Sequence, residues 1–405
     1  MTSQTFYGLS MHWAQYCGLY DIGYHQLSIA CLPSEHDPIE TKMHAWRSWA
    51  ARETKLRTLL GLCIIDGVVS EFSGNLVNTS SATKHLPLAA PEDVFAADTA
   101  DKWIRATMTT MAATRDESTS CATTAPGTFR DLHDSLVLNC TQPGQVKGIC
   151  GLLNVKILLE TLSSLAVDLE GSSGAPHTAT HKLEAVKALV SLRQHITQSQ
   201  QLSAAEKAIG LLRWHAVCLD LVASTARGTR RMCQHYGITQ HIFGGRKRQE
   251  TRAIDPEGWA RGLNARKNLL HAMEIHKIAS EVPLGIIHDT CLPGALFAAA
   301  TTYSSFALPG VSKVVVPSVV DWSLVVLHRM DEISESTAHP PSMETNDTML
   351  FLRNNISAEP TGWTIRNLMY ELGAIRILLH SLSQHWGVTQ EMEEVIGAWE
   401  TRCGG

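Results

Sequence analysis

The chain has 405 residues, 44% hydrophobic and 18% charged, with a net charge of −5 and a pI near 6.4. This is globular composition, long enough for one large core or two, and it excludes a mainly disordered chain. The mild acidity argues against a chain that reads nucleic acid by itself, since such modules concentrate basic side chains against phosphate.

Gln4 to Leu19 reads as a short helix with Phe6, Leu9, Trp13, Tyr16 and Cys17 on one face. Pro33 and Pro38 then punctuate a polar connection. The stretch from His44 to Asn75 is the strongest helical signal. Its apolar residues Trp46, Trp49, Leu56, Leu59, Leu60, Cys63 and Ile64 recur at helical spacing. Arg47, Arg52 and Lys55 fall on the side toward water. Glu53 stands one helical turn before Arg57, the favourable order for a pair along a helix. Arg52 and Glu53 are also candidates for an ion pair between helices. Gly61 and Gly67 are small enough to admit a second helix, and Ser73-Gly74-Asn75 ends the run. Trp46 and Trp49 are expected to anchor core rather than to cage a ligand.

Pro91 suits the first turn of a helix running through Trp103 to about Ala113. Thr114 to Thr128 reads as a loop, and Gln145 to Leu169 as a helix ended by a flexible Gly171–Pro176 hinge. His181 to Gln198 is amphipathic. Ser203 and Glu206 form a capping box that opens a helix to about Ala226. Asp255-Pro256-Glu257 starts another, reaching Ile278. Leu296 to Ala307 is small and apolar, a buried helix. Val311 to Val320 should be extended but too isolated to make a sheet. A short helix over Val320–Met330, a polar linker over Asp331–Asp347, and helices at Thr364–Trp386 and Thr389–Trp399 complete the chain. The expected architecture is all-α, divided into an N-terminal part, 1–170, and a C-terminal part, 171–405, two helical lobes joined by flexible loops.

The chemistry-bearing residues were weighed against plainer roles. Ten cysteines without a pairing rhythm or a Cys-x-x-Cys read as reduced, mostly buried thiols of an intracellular protein, and as no zinc site. No export signal stands at Met1–Thr5, so the Asn-x-Ser/Thr sequons at Asn78, Asn139, Asn346 and Asn355 are chance matches. No run is apolar enough to span a bilayer, and a soluble chain without membrane contact is expected. His177 and His181 have metal-ligand spacing but lack a catalytic glutamate between them. Asp131 and Asp134 could ligate a divalent ion in an all-α metal-dependent enzyme, an alternative set against a solvated helix start. Gly244-Gly245 resembles a phosphate loop without its Lys-Ser/Thr. Arg246-Lys247-Arg248, with Arg230, Arg231 and Arg252, is the most basic region, a candidate nuclear-import signal or phosphate contact weighed against an exposed loop.

The pattern Trp46-x-x-Trp49-x-x-Arg52-Glu53-x-x-x-Arg57, followed by a long apolar helix, resembles the fungal transcription factor regulatory domain. This is the middle homology region of the xylanolytic-activator type, found downstream of zinc-cluster and zinc-finger DNA-binding domains. Leu86-Pro87, Pro91–Phe95 and Thr99–Trp103 resemble the segment that follows the helix in that family, so the likeness is densest over 44–103. Leu296–Ala300, Gly310–Val314 through Asp321-Trp322, and Trp386–Val388 with Glu391–Glu394 resemble later segments of the two-Cys-two-His subgroup. The resemblance implies an irregular multi-helix regulatory domain and not an enzyme, with Trp46, Trp49, Arg52, Glu53, Arg57, Leu86, Pro87, Phe95 and Trp103 as its motif residues. It implies a nuclear location and contact with transcription co-regulators, a related transcription factor or a second copy of the chain. Zinc belongs to the family's DNA-binding module, whose ligands this sequence lacks. DNA contact would then come through a missing module or a partner, as in a truncated chain or a regulator without its own reader. A helical scaffold that binds a small molecule is the remaining alternative.

Overall fold

A computed structural model describes residues 2–20, 32–73, 83–116, 127–138, 149, 151–171, 176–243, 254–282, 289–327, 346–354 and 362–403; the side chains of 2–4, 73, 113–116, 165–171 and 176–181 fall outside that description. Among these residues the protein is all-α, with sixteen helices and one two-stranded sheet. Contacts divide the chain into two compact units. The first comprises Met1–Val69, Leu76–Ser164 and Ser191–Lys207; the second comprises Ser70–Asn75, Leu165–Val190 and Ala208–Gly405.

The first unit is built on α2 (Ile39–Ser73). Trp49, Glu53, Leu56, Leu60, Cys63 and Gly67 recur at three- and four-residue steps and are buried, while Arg47, Arg52 and Lys55 face water. Of the two glycines, only Gly67 admits a close neighbour. A Cβ there would lie 2.2 Å from the Glu160 carboxylate on α6 (Leu152–Gly171), whereas nothing lies within 4 Å of one at Gly61. The N-terminal helix α1 (Thr2–Tyr16) buries Tyr7 and Ala14 and leaves Phe6, Leu9, Trp13 and Tyr16 exposed. An apolar stripe establishes that a face is apolar; it does not establish what covers it.

The single helix expected from Pro91 is two: α3 (Glu92–Phe95) and α4 (Ala100–Asp116). Thr99 restarts the helix, its hydroxyl accepting from the Lys102 amide at 3.3 Å. Lys42 on α2 reaches Asp101 on α4 at 2.7 Å. The rest of this unit comes from α5 (Phe129–Leu138), α6 and the end of α7 (Pro176–Gln198), where the Ser191 hydroxyl donates to the Leu136 carbonyl at 2.8 Å.

In the second unit, α8 (Ala204–Val222) follows the expected capping box. The Ser203 amide donates to the Glu206 carboxylate at 2.8 Å, and the Glu206 amide to the Ser203 hydroxyl at 3.3 Å. The helix does not run on to Ala226. It bends by 61° into α9 (Thr225–Tyr236). The helix from Pro256 is likewise two, α10 (Pro256–Arg261) and α11 (Leu263–Glu281), separated by extended Gly262. At the centre lies α12 (Leu292–Ala307), buried along its length apart from Ser305. It packs against α11, α15 (Leu368–Leu382) and α16 (Val388–Cys403). Phe297 stacks on Trp399 with ring centres 5.7 Å apart.

The expected isolated strand has a partner. β1 (Lys313–Pro317) pairs antiparallel with β2 (Trp363–Asn367), Val315 opposite Ile365. The helix read from Thr364 therefore starts four residues late, at Leu368. Two causes act together. Thr364 and Ile365 are β-branched, and Asn367 caps α15, accepting from the Met369 amide at 3.1 Å. Pro317 sits at a strand end, where its missing N–H disturbs the ladder least. Short helices α13 (Trp322–Leu327) and α14 (Asp347–Leu352) flank the polar linker, whose residues 331–345 lie outside the described residues. No single helix among the described residues is long and apolar enough to cross a membrane.

Candidate functional site

Both motif segments of the first unit converge. Trp49 on α2 and Trp103 on α4 meet with ring centres 5.5 Å apart, and Val94 and Ile104 complete a buried cluster with them. Trp46 and Phe95 pack on its edge, half-buried. Arg57 joins the segments. Its Nε donates to Glu53 at 2.9 Å, one terminal nitrogen to Glu92 at 2.7 Å, and the other to the Ala90 carbonyl at 2.9 Å. Its guanidinium also lies 3.8 Å from the Phe95 ring centre. Buried Glu53 accepts the Ala90 amide at 2.9 Å as well, so the ion pair clamps a non-helical segment.

The logic is backbone satisfaction. The chain from Leu86 to Ala90 lies between helices, where each amide and carbonyl needs a partner. Ala89 gives both its groups to buried Asn154 on α6, each at 3.0 Å, and Ala90 gives both to the Glu53–Arg57 pair. Leu86 is buried, its carbonyl accepting from the Phe129 amide at 3.1 Å, and Pro87 forms a bridge with Thr128. The Glu53–Arg57 pair forms as its spacing suggests, and the ion pair between helices is made by Arg57 to Glu92, with Arg52 exposed. The cluster is a packed element in which the Ala89 and Ala90 backbone groups are paired, while the buried Trp103 Nε1 has no hydrogen-bond partner.

Of the metal candidates, Asp131 and Asp134 are described, both on α5. Asp131 sits in the first turn of α5 and is taken up in capping: its carboxylate accepts from the Thr128 amide at 3.1 Å and hydroxyl at 2.8 Å. Asp134 lies beside His133 at 3.4 Å. Among the described residues no group of three or more His, Cys, Asp or Glu side chains converges. The His177 and His181 side chains, the Cys140 and Cys150 pair, and Gly244 to Arg252 lie outside the described residues.

The sequence reading missed two features of the second unit. One is a buried histidine pair, His215 on α8 and His271 on α11, with Nδ1 atoms 3.0 Å apart between Trp214 and Trp322. At that distance one Nδ1 donates and the other accepts, so the two rings hold opposite tautomers. Helical periodicity carries no trace of the pair, because its members lie on helices far apart in sequence.

The other is a cavity of about 400 Å³ bounded by α8 to α12. The bend between α8 and α9 opens it. Asp220 accepts from the Thr225 amide at 2.9 Å and hydroxyl at 2.6 Å, and Ser224 caps α9. Burial pushes the Asp220 carboxyl upward, against the opposing effect of those bonds and of Arg213. The floor is α12, where Thr301, Thr302 and Ser305 present small side chains. Each hydroxyl lies within donating reach of a carbonyl one turn earlier, at 2.8, 3.0 and 2.7 Å; Thr301 also pairs with the Thr229 hydroxyl at 3.0 Å, and Ser305 Oγ lies 2.9 Å from the Met232 sulfur. Trp259 and Met232 supply apolar wall, with Trp259 held edge-on to Phe306. Arg227 and Arg231, one turn apart on α9, line it too, as does Asn268 on α11. Arg231, read from sequence as part of a basic surface loop, is thus a cavity residue. Asn268 is 2% exposed, and its side-chain carbonyl oxygen has no hydrogen-bond partner.

Searches against protein-family models, curated proteins and solved structures found no match. The likeness to the middle homology region therefore rests on the motif residues themselves.

Proposed function

We propose that this chain is the regulatory, middle homology portion of a fungal RNA polymerase II transcription factor. It works in the nucleus through contacts with co-regulators, a related factor or a second copy, and it is not an enzyme. DNA contact, and the zinc that goes with it, belongs to a separate module or a partner. One observation carries this reading. The two sequence segments that carry the resemblance are spatially one element, joined by Trp49 on Trp103 and by Arg57 across Glu53, Glu92 and Ala90. A motif whose parts interlock is explained by a shared role in presenting a stable surface.

The test is a fusion of the whole chain to an unrelated DNA-binding module, read on a reporter gene. Transcription should change several-fold when the chain is attached, and Arg57→Ala should cancel the change at equal protein level. Identical reporter output with and without the chain would sink the proposal. A second reading, a helical scaffold for a small molecule, is favoured by the cavity in the second unit. For the enzyme alternative, Asp131 is taken up in capping α5, and among the described residues no group of three or more His, Cys, Asp or Glu side chains forms around it and Asp134.

A further inference from the structure

We infer that the second-unit cavity binds a neutral, mainly apolar small molecule that carries a hydrogen-bond donor, an N–H or O–H, at its buried end. This rests on the scaffold reading of that cavity and is independent of the transcriptional one. A volume of about 400 Å³ falls within the range of sites that enclose small ligands. The space is not forced by packing. Gly228 lies inside α9 and lines the cavity, and among the described residues a Cβ placed there would meet only the Thr301 methyl, at 4.0 Å. Glycine weakens a helix interior relative to alanine, so the space stays open where a side chain would both fit and favour the helix.

The lining divides by depth. Leu219, Thr225, Met232, Asn268, Thr301 and Thr302 are its buried members, and all are neutral. Its charged members reach water: Arg227 and Arg231 are half-buried and Asp255 is exposed. Both arginines interact with other groups of the chain, and Asp255 keeps its negative charge while it caps α10, accepting from the Gly258 amide at 2.9 Å. Charges of both signs therefore share the watered side, and the enclosed part is neutral. A charged ligand group sent into that part would lose its hydration, with no counter-charge among the buried lining residues to replace it. The buried end of the ligand is therefore uncharged.

Asn268 sets the polar requirement. The other buried polar side chains of the lining have partners: the Thr225 hydroxyl donates to Asp220 at 2.6 Å, Thr301 pairs with Thr229 at 3.0 Å, and Thr302 lies within donating reach of the Ala298 carbonyl at 3.0 Å. The Asn268 carbonyl oxygen has none among the described residues. Leaving a buried acceptor bare is costly, and a ligand N–H or O–H would recover that cost. With its proton spent on Ala298, the Thr302 hydroxyl also accepts, so the buried end of the cavity selects for donors. Met232, Leu219 and Trp259 then cover an apolar body.

The experiment is isothermal titration of the full chain with three probes of one shape. 5-Benzyloxyindole is neutral and donates through its ring N–H; its N-methyl derivative has no donor; its 2-carboxylate is charged. The parent indole should bind at least about tenfold more tightly than either relative. Asn268→Leu should erase the preference of the parent over its methyl derivative while both still bind. Gly228→Leu, which fills the space from α9, should remove binding of all three, with a melting temperature unchanged or raised as the sign of an intact fold. Ser305→Leu does the same from α12 and serves as a second filling variant. Equal binding of the parent and its methyl derivative would overturn the donor assignment while leaving a ligand scaffold. Tightest binding by the carboxylate would overturn the neutral one. No binding of any probe would overturn the inference and the scaffold reading together, and unchanged binding in both filling variants would place the ligand elsewhere and overturn the inference alone.

Discussion

The motif cluster of the first unit and the cavity of the second solve opposite problems. In the cluster a non-helical segment is buried and its exposed backbone groups are taken up one by one, by Asn154, Glu53 and Arg57. In the cavity the backbone is helical and self-satisfied, yet volume stands open and the Asn268 oxygen has no partner. A buried segment whose backbone is clamped by three side chains is built to hold one shape. A region that leaves a polar group bare in an open volume is poised to gain from a ligand.

The contrast can be broken most forcefully at the tryptophans. Trp103→Ala removes a buried indole from the cluster and should destabilise the first unit by about 3–5 kcal/mol in chemical denaturation. Arg57→Ala comes next, at about 3 kcal/mol, because it strands the buried Glu53 carboxylate. Adding Glu53→Gln to that variant should recover part of the loss, which a double-mutant cycle would measure. In the cavity the sign reverses. Asn268→Leu should stabilise the ligand-free protein by about 1 kcal/mol, since it removes an unpaired buried oxygen. A stability loss there as large as that of Arg57→Ala would erase the distinction between the regions.

The smallest expected effects concern pH. Burial holds the His195 imidazole of the first unit below its ordinary value of 6.5, partly offset by the Ile149 backbone. The unfolded chain then binds the proton that the folded chain refuses, so its contribution is present above pH 6.5 and fades as pH falls. Glu371 of the second unit behaves alike at lower pH. Burial raises its carboxyl, but His276 and Arg366 outweigh that and hold it below 4.5. Its contribution is lost only as pH falls from 4.5 through the folded value. Stability measured against pH should show a first decline removed by His195→Gln and a later one removed by Glu371→Gln. One decline insensitive to either change would contradict both assignments.

The sequence disclosed the fold class and much of the cluster, for physical reasons. Long helices announce themselves by period, so α2 was legible from apolar spacing, and the buried α12 from its small, apolar run, though it starts four residues earlier than Leu296. The Glu53–Arg57 pair was legible because it is local. Breaks were not: Thr99, Ser224 and Gly262 each interrupt a continuing apolar pattern, since capping competes with helix extension on margins of about 1 kcal/mol. The pairing of β1 with β2 and the His215–His271 contact depend on segments remote in sequence, so no local window contains them. The cavity was hidden for the same reason. Arg231 beside Arg230 looks like surface charge until the bend at Asp220 and Thr225 turns α9 inward.

The sharpest test of the two-region account is hydrogen–deuterium exchange across the whole chain, in the unaltered protein and in Arg57→Ala and Asn268→Leu. The account predicts that the Ala89 and Ala90 amides exchange slowly and speed up markedly in Arg57→Ala, while Asn268→Leu leaves α11 as protected as before or more so. Rapid exchange through the Ala89–Ala90 segment of the unaltered protein, or loss of protection in α11 on Asn268→Leu, would contradict it.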